Sequence, residues 1–347
     1  MVPAIDLFAG AGGMTLGMKE AGVSTLCAVE IEPNRVLTFA GHTPNADIKN
    51  ADIRRLDLSL YQGQVELIYG GPPCQPFSSG GRRQADADTR NMIPAFLQAL
   101  DVVKPAAFLM ENVPGLLVGD RIEYFRSVVQ AMQDLGYRVS HKILNAADFG
   151  VPQKRRRLFV VGMRDRAFHF PRETHGPGRP HPHVAVKDVL PPHRIGAPNA
   201  SKVFFAKKPD LRPSPFDGHV YNGGGRPIDR DRPCHTILAS AGGNKTHFFD
   251  ELGLVPEYHR SLLDGNPPRT GTLPGARRLT VLESALIQTF PKEMVFSGPP
   301  SVQYHQVGDA VPPRLAAVLG QALVKQLAMT RVEARGGPEG GGGWSGN

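Results

Sequence analysis

Cysteine is scarce in this chain of 347 residues, which has three of them: Cys27, Cys74 and Cys234. None belongs to a C-x-x-C pair, so the sequence predicts neither a disulfide framework nor a structural zinc site, and we expect no metal. Scattered thiols are typical of a reducing cytosol. No apolar run approaches the ~18 residues of a membrane span, and the first residues do not resemble a signal peptide. We expect a cytoplasmic protein without a membrane partner.

Acidic residues are also scarce relative to basic residues. The 40 lysine and arginine residues outnumber the 32 aspartate and glutamate residues and leave a net charge of +8 at pH 7. A surplus of this sign favours a polyanionic partner such as nucleic acid. The alternative is a basic protein without such a partner, and charge alone does not separate the two.

Strands and helices alternate along the first 165 residues. Strands are predicted at 2–8, 25–30, 65–69 and 106–110, with helices at 12–22, 33–41, 90–103 and 122–135. This alternation indicates an α/β fold with a parallel, doubly wound sheet. Residues 137–144 and 158–163 are rich in β-formers and are expected to pair with each other.

The composition changes near Pro171. From there to about Gly275 the chain is rich in proline, glycine, histidine and arginine, which predicts a second, irregular domain. Helical patterns return at 279–290 and 312–329. The last residues, from Gly336 onward, are rich in glycine and are expected to be disordered.

A glycine turn, Gly10-Ala11-Gly12-Gly13, follows the first predicted strand, and Glu30 ends the second. Such glycines let the backbone turn tightly and let a ligand approach closely, while a carboxylate after the second strand can accept hydrogen bonds from ribose hydroxyls. The pattern favours a nucleoside-containing cofactor, either a dinucleotide or S-adenosylmethionine. A glycine turn without a ligand is the structural alternative.

Two reactive side chains follow later strands. Cys74 lies in the stiff polar loop Gly71-Pro72-Pro73-Cys74, and Glu111 ends an apolar strand. Because the chemistry of an open α/β sheet gathers at the carboxyl ends of its strands, we interpret Cys74 as a nucleophile and Glu111 as a proton donor. Farther on, the basic run at 153–157 precedes another strand. There, alternation predicts that Gln153, Arg155 and Arg157 point to the same side.

These residues resemble the motifs of the cytosine-C5 DNA methyltransferases, which occur here in the family's order. The motifs are the glycine turn, Pro-Pro-Cys-Gln (72–75), Glu-Asn-Val (111–113), Gln-x-Arg-x-Arg (153–157), Arg-Leu-Thr-x-x-Glu (278–283) and Gln-Val-Gly-Asp-Ala-Val-Pro-Pro (306–313). The resemblance implies a Rossmann-like, S-adenosylmethionine-dependent methyltransferase domain at 1–165, completed by 302–330. It further implies a smaller target-recognition domain and hinge at 166–301, followed by a disordered tail at 331–347.

The resemblance implies an enzyme that methylates carbon 5 of a flipped cytosine in a specific duplex DNA site through a covalent adduct of Cys74 with carbon 6. Glu111 would act at N3 and Arg155 at O2, while Arg157 would position the catalytic loop or the DNA. The expected cofactor contacts are Phe8, Ala9, Gly10, Gly12, Gly13, Glu30, Ile31, Asp52, Ile53, Pro72 and Asp309. The usual family residue at the last of these positions is asparagine. Phe8 and Ile53 would sandwich the adenine, and Asp52 would bind its amino group.

The expected DNA contacts are Gln75, Ser78, Gln153, Arg232 and Thr236. The family resemblance predicts a monomer of the bacterial restriction–modification type, cytoplasmic and associated with the nucleoid in use. It leaves room for a cognate restriction endonuclease that acts separately. An RNA cytosine-C5 methyltransferase and a non-catalytic DNA-binding relative are alternatives. A nicotinamide dehydrogenase would explain the glycine turn and Glu30 but not Pro73-Cys74-Gln75.

Overall fold

The computed structural model describes residues 1–74, 91–211, 219–221, 225–239, 243 and 245–335. The first part of the chain alternates strands and helices: β1 (Val2–Leu7), α1 (Gly13–Glu20), β2 (Val23–Glu30), α2 (Pro33–His42), β3 (Asp47–Asn50), β4 (Leu67–Gly70), α3 (Ile93–Val103), β5 (Ala107–Asn112), α4 (Arg121–Asp134), β6 (Arg138–Asn145) and β7 (Arg156–Met163).

These strands form one seven-stranded sheet in the order β3-β2-β1-β4-β5-β7-β6. The first five are parallel, whereas β7 is antiparallel to both β5 and β6. The doubly wound α/β fold and the pairing of residues 137–144 with 158–163 are therefore confirmed. The strand order reverses between β1 and β4, and this is the position at which open α/β sheets bind ligands.

The remaining elements are β8 (Phe205–Asp210), β9 (His219–Tyr221), β10 (Phe248–Asp250), α5 (Leu254–Leu263), β11 (Ala276–Arg278), α6 (Val281–Ile287), α7 (Pro300–Asp309) and α8 (Pro313–Arg335). The two short antiparallel pairs β8–β9 and β10–β11 and helix α5 lie in the region that the composition marks as irregular. Helix α8 continues past residue 330, where the disordered tail was expected to begin, and residues 336–347 lie outside the described residues.

Helix α8 joins the first part of the chain through a close contact with α1. A Cβ on Gly17 would overlap the carbonyl oxygen of Pro313, and one on Gly13 would lie 2.6 Å from the carbonyl oxygen of Val311. Glycine therefore permits the two helices to approach. Leu315 and Leu319 are fully buried in the same apolar cluster as the sheet residues Leu67 and Leu109. The C-terminal helix thus covers the sheet, while the exact domain boundaries remain a prediction.

The Arg-Leu-Thr-x-x-Glu motif has a structural explanation at the start of α6. Thr280 caps the helix by accepting from the Glu283 amide at 3.0 Å, and Glu283 accepts from the Thr280 amide at 3.0 Å. Arg277 forms an ion pair with the buried Glu283 at 2.9 Å. This reciprocal cap satisfies amides that a helix N-terminus otherwise leaves unpaired. Among the described helices, none is long and apolar enough to cross a membrane.

Candidate active site

A cavity of about 420 Å³ opens at the carboxyl ends of β1, β2 and β4. This volume lies in the range of small-molecule sites. Five of the expected cofactor residues line it, namely Phe8, Glu30, Ile31, Asp52 and Ile53, together with Glu32, Arg35, Arg54, Gly71, Pro73 and Met92. Because Gly71 and Pro73 precede Cys74, the cavity reaches from the Glu30 wall toward the candidate nucleophile.

The glycine turn shapes one wall of this cavity. Phe8, Gly10 and Gly12 all have positive φ angles, at 61°, 56° and 81°. The turn directs the Gly10 amide at Glu30 Oε2, 2.8 Å away, while the Glu32 amide donates to Oε1 at 2.9 Å. Two backbone donors therefore fix the carboxylate of Glu30, which is 6% exposed. A carboxylate held in this way suits the recognition of a pair of ribose hydroxyls.

Asp52 occupies the opposite part of the lining. Its carboxylate caps a short 3-10 helix by accepting from the Arg54 amide at 3.0 Å and pairs with the Arg54 guanidinium at 2.5 Å. The hydrogen bonds from Arg54 hold the pKa of Asp52 below its usual range. Asp52 is therefore an anion that can accept hydrogen bonds from a ligand.

Cys74 lies directly after the approach to the cavity. Its backbone pairs with Asn91 in an antiparallel bridge, and the Met92 amide donates to the Pro73 carbonyl oxygen at 2.9 Å. Burial raises the pKa of the half-buried Cys74 thiol, and the positive charge of Arg121 opposes this shift. Gln75 and Ser78 lie outside the described residues.

Glu111 lies beside the loop that carries Cys74. A Cβ on Gly71 would be 3.1 Å from Glu111 Oε2, so glycine leaves room for the carboxyl group. Oε1 of Glu111 accepts from Arg157 Nε at 2.9 Å. Burial raises the pKa of Glu111, against the lowering effect of Arg157 and Arg155. A carboxyl group with a raised pKa can carry a proton nearer neutral pH, as a proton donor requires.

The structure places both arginines near Glu111, and their expected roles stay predictions. Arg155 is 1% exposed and donates to the carbonyl oxygens of Ile237 and Asp309 at 3.1 and 3.2 Å, and its positive charge lowers the pKa of Glu111. Arg157 is the guanidinium beside Glu111. Although β7 begins only at Arg156, burial alternates along residues 153–157: Gln153 and Arg155 are buried and Arg157 is partly buried, whereas Lys154 and Arg156 are exposed.

Gln153 has a completely buried side chain. Its amide group donates to Gln288 Oε1 at 2.9 Å and accepts from the Ile237 amide at 2.9 Å. Gln153 thus joins distant segments of the chain, and its expected DNA contact stays a prediction. Arg232 has a side chain that is 75% exposed, and the Thr236 hydroxyl donates to the Lys154 carbonyl oxygen at 2.7 Å. Their DNA contacts stay predictions.

Several residues of the site carry no clear signal in the sequence. Arg35 and Arg54 line the cavity, but isolated arginines on a predicted helix or loop do not indicate a ligand. Asn112, the second residue of the Glu-Asn-Val motif, donates to the Pro72 carbonyl oxygen at 3.1 Å. That contact holds the loop before Cys74 against β5. Pro72, an expected cofactor contact, does not line the cavity and instead accepts this hydrogen bond. Ala9, Gly10, Gly12 and Gly13 shape the turn behind the cavity.

Known proteins resemble this chain over most of its length. The family model described as C-5 cytosine-specific DNA methylase matches residues 2–325. The type II methyltransferase M1.HphI of Haemophilus parahaemolyticus is 31% identical over 92% of this chain and 86% of its own length. M.AplI of Arthrospira platensis is 33% identical over 94% of this chain and 85% of its own length.

Solved structures show the same fold. A mutant DNMT2 of Spodoptera frugiperda superposes with a TM-score of 0.71 at 18% identity, covering 93% of this chain and 100% of the other. S. pombe Dnmt2 superposes with a TM-score of 0.69 at 18% identity, covering 94% and 99%. At these identities the structures establish the fold alone. The family model, by contrast, spans the sheet, the irregular second region and part of helix α8. The chain therefore belongs to the C-5 cytosine-specific DNA methylases.

Proposed function

We propose that this methylase acts on cytosine in duplex DNA through Cys74 as the nucleophile, Glu111 as the proton donor and Arg157 as the residue that holds Glu111. The observation that carries the proposal is the placement of Glu111 Oε2 against Gly71, three residues before Cys74, with Arg157 on the other carboxylate oxygen. Gly71 and Pro73, which precede Cys74 in the same loop, line the cavity at the topological switch point of the sheet.

The family makes the reaction dependent on S-adenosylmethionine, and the cavity residues fit that cofactor. Glu30 presents a carboxylate that the amides of Gly10 and Glu32 fix in place, as a ribose diol requires. Ile31 is 55% exposed while it lines the cavity, so it offers apolar surface to a ring, and Phe8 lines the same cavity. When bound, S-adenosylmethionine supplies an electrophilic methyl group.

Carbon 5 of cytosine needs activation because it is a poor nucleophile. The Cys74 thiolate forms a bond to carbon 6, and the electron pair of the C5–C6 double bond moves into the ring as Glu111 donates a proton to N3. Arg157 keeps the Glu111 carboxyl group in position through this change. After carbon 5 has been methylated, water accepts the proton from carbon 5, and the electron pair of that C–H bond re-forms the C5–C6 double bond and expels Cys74 as its thiolate. N3 returns its proton to Glu111, which is then ready for the next turnover. Atoms and charge therefore balance over one turnover.

Burial raises the pKa of Cys74 in the free protein, and the positive charge of Arg121 opposes this shift. Because the thiolate is the nucleophile, the thiol proton must leave before or as the bond to carbon 6 forms.

The base reaches this cavity only if it leaves the helical stack. The second region, which carries the exposed Arg232 and the neighbouring Thr236, would supply contacts to the duplex. The type II names of the relatives support a restriction–modification context with a separately acting endonuclease. The proposal includes a monomer that works in the bacterial cytoplasm on nucleoid DNA.

Bisulfite sequencing of plasmid DNA from cells that express the chain tests this function. One short sequence should be methylated at one cytosine in every copy, and Cys74→Ser should abolish the signal. Cys234→Ser is the matched control, because Cys234 is a buried thiol that does not line the cavity. Methyl transfer to RNA with unmethylated plasmid would contradict the choice of DNA, and a Cys74→Ser enzyme that keeps wild-type activity would contradict the nucleophile.

A further inference from the structure

Gln288, the residue that follows α6, belongs to a buried network of hydrogen bonds. Its side chain is completely buried, as is that of Gln153. Gln288 Oε1 accepts from Gln153 Nε2 at 2.9 Å, and Gln288 Nε2 donates to the Val307 carbonyl oxygen at 2.7 Å. The amide group of Gln288 therefore joins the segment before β7 to helix α7.

Gln153 extends this network to the second region. Its Oε1 accepts from the Ile237 amide at 2.9 Å. The two segments also run side by side, because the Lys154 amide donates to the Cys234 carbonyl oxygen at 2.8 Å. The Thr236 hydroxyl donates to the Lys154 carbonyl oxygen at 2.7 Å. The second region is thus joined to the approach to β7 through both backbone and side-chain hydrogen bonds.

Arg155 closes the network into a ring. Its buried guanidinium donates to the carbonyl oxygens of Ile237 and Asp309 at 3.1 and 3.2 Å. Ile237 is therefore held at its amide by Gln153 and at its carbonyl oxygen by Arg155. The buried ring consists of three side chains and three backbone groups, namely the side chains of Gln153, Arg155 and Gln288 and the backbone of Ile237, Val307 and Asp309.

The buried ring determines where the Arg155 guanidinium lies. It engages both terminal nitrogens, whereas Arg155 Nε is buried and has no hydrogen-bond partner among the described residues. A buried donor without a partner is costly, so this donor suits a ligand that supplies the acceptor, and the carbonyl oxygen of a flipped cytosine is such an acceptor. Arg155 also lies two residues before Arg157, whose Nε donates to Glu111 Oε1 at 2.9 Å. The ring is therefore next to the group that holds the proposed proton donor.

We infer that Gln288 is a positioning residue for methyl transfer, which together with Gln153 fixes the Arg155 guanidinium between the second region and α7. This inference rests on the proposed function. Glutamine carries a donor and an acceptor on one amide group, so Gln288 serves both of its neighbours in the ring at once. An apolar side chain of similar length would fill the space but would leave Gln153 Nε2 and the Val307 carbonyl oxygen unpaired. The guanidinium would then be held less firmly.

The test compares Gln288→Met, Gln153→Met and the double variant with the wild-type protein. It measures single-turnover methyl transfer from labelled S-adenosylmethionine at saturating cofactor and duplex, using a duplex that contains the methylated site. The KM for the duplex, the Kd for S-adenosylmethionine and the melting temperature are measured separately. Gln306→Met is the matched control, because Gln306 is a buried glutamine of α7 that donates to the Ser297 carbonyl oxygen at 2.8 Å, outside the ring.

We expect Gln288→Met to lower the single-turnover rate by about 10- to 100-fold, because a displacement of about 1 Å near the reacting groups can cost that much. The KM for the duplex and the Kd for S-adenosylmethionine should stay within about threefold of wild type, since the lost interaction acts on the reaction and not on binding. The double variant should be about as slow as the slower single variant, because both side chains act through one ring. Gln306→Met should lower the melting temperature but keep the wild-type rate.

The inference is overturned if Gln288→Met loses no more rate than Gln306→Met, or if its defect appears only in KM or Kd. Should Gln288→Met fail to fold, Gln153→Met carries the same comparison, because it removes the shared hydrogen bond from the other end. A wild-type protein that transfers no methyl group to DNA would instead contradict the proposed function. An active wild type with an equally active Gln288→Met would refute the positioning role alone, so the two failures are distinguishable.

Discussion

Glu111→Gln is the substitution that most sharply separates proton transfer from simple packing. Glutamine keeps the length of the side chain and an oxygen that can accept from Arg157 Nε, now 2.9 Å from Glu111 Oε1. It also fits beside Gly71, where a Cβ would be 3.1 Å from Oε2. The geometry of the site should therefore survive, while the variant has no carboxyl proton to deliver. We expect a loss of about 10²–10⁴ in the single-turnover rate, the usual contribution of a general acid or base.

The pH dependence adds a second readout of the same variant. The pKa of Glu111 is raised mainly by burial, so the folded protein binds this proton more tightly than the unfolded chain. The stability that this proton provides is fully present below the unfolded pKa and is lost as the pH rises through the folded pKa. Glutamine does not titrate. As the pH rises, the thermal stability of Glu111→Gln should therefore increase relative to that of the wild-type protein.

The assay pairs quenched-flow methyl transfer with thermal denaturation at each pH. Arg157→Gln is a useful companion variant, because it keeps the Glu111 carboxyl group but removes the guanidinium that pairs with it. That guanidinium also lowers the pKa of Glu111 in the wild-type protein. A Glu111→Gln enzyme that retains the wild-type rate across the neutral range would refute proton donation by Glu111. The carboxyl group would then serve only as the partner of Arg157.

Three further predictions concern the fold and the DNA interface. Burial raises the pKa of Asp6 to about 8. Wild-type stability should therefore fall as the pH rises from about 4 toward 8, and Asp6→Asn should flatten this dependence in denaturant titrations at several pH values. Gly17→Ala should cost about 2 kcal/mol of unfolding free energy through overlap with α8. By contrast, Gly41→Ala, where a Cβ meets no atom within 4 Å, should be neutral or slightly stabilising. Non-specific DNA affinity should fall with salt at a slope close to −0.9 per phosphate contact in titrations, and a flat response would exclude phosphate binding by the basic surface.

The sequence predicts most of the sheet because hydrophobic runs of strand length alternate with helical patterns there. It does not predict β3, whose four residues Asp47–Asn50 are polar or half-exposed at the edge of the sheet. Helix α7 is missed for a related reason, since Pro300–Asp309 mixes polar and apolar residues without a strong helical period. Helix α5 lies in a region whose proline and glycine content suggests loops. Local pattern fails in these places because tertiary packing decides the structure.

The candidate site is also predicted only in part by the sequence. Glu30 ends β2, Glu111 is the penultimate residue of β5, and Cys74 lies in the loop that follows β4, so the sheet topology alone brings them to one edge. Alternation correctly predicts that Arg155 is buried while its neighbours Lys154 and Arg156 are exposed. It does not predict the partners of Arg155, which come from distant segments of the chain. Arg35 comes from a different helix and meets Asp309 only through the folded chain. The spacing of the motifs along the chain does not predict that contact.

The most direct test of the central claim places 5-fluorocytosine at the methylated position of a duplex identified by bisulfite sequencing. Cys74 can add to carbon 6 and carbon 5 can receive the methyl group, but fluorine cannot leave as a cation, so the adduct should persist. We predict a protein–DNA species that survives denaturation, requires S-adenosylmethionine and is absent in Cys74→Ser. Methylation of the ordinary duplex without trapping on the fluorinated one would contradict covalent catalysis by Cys74.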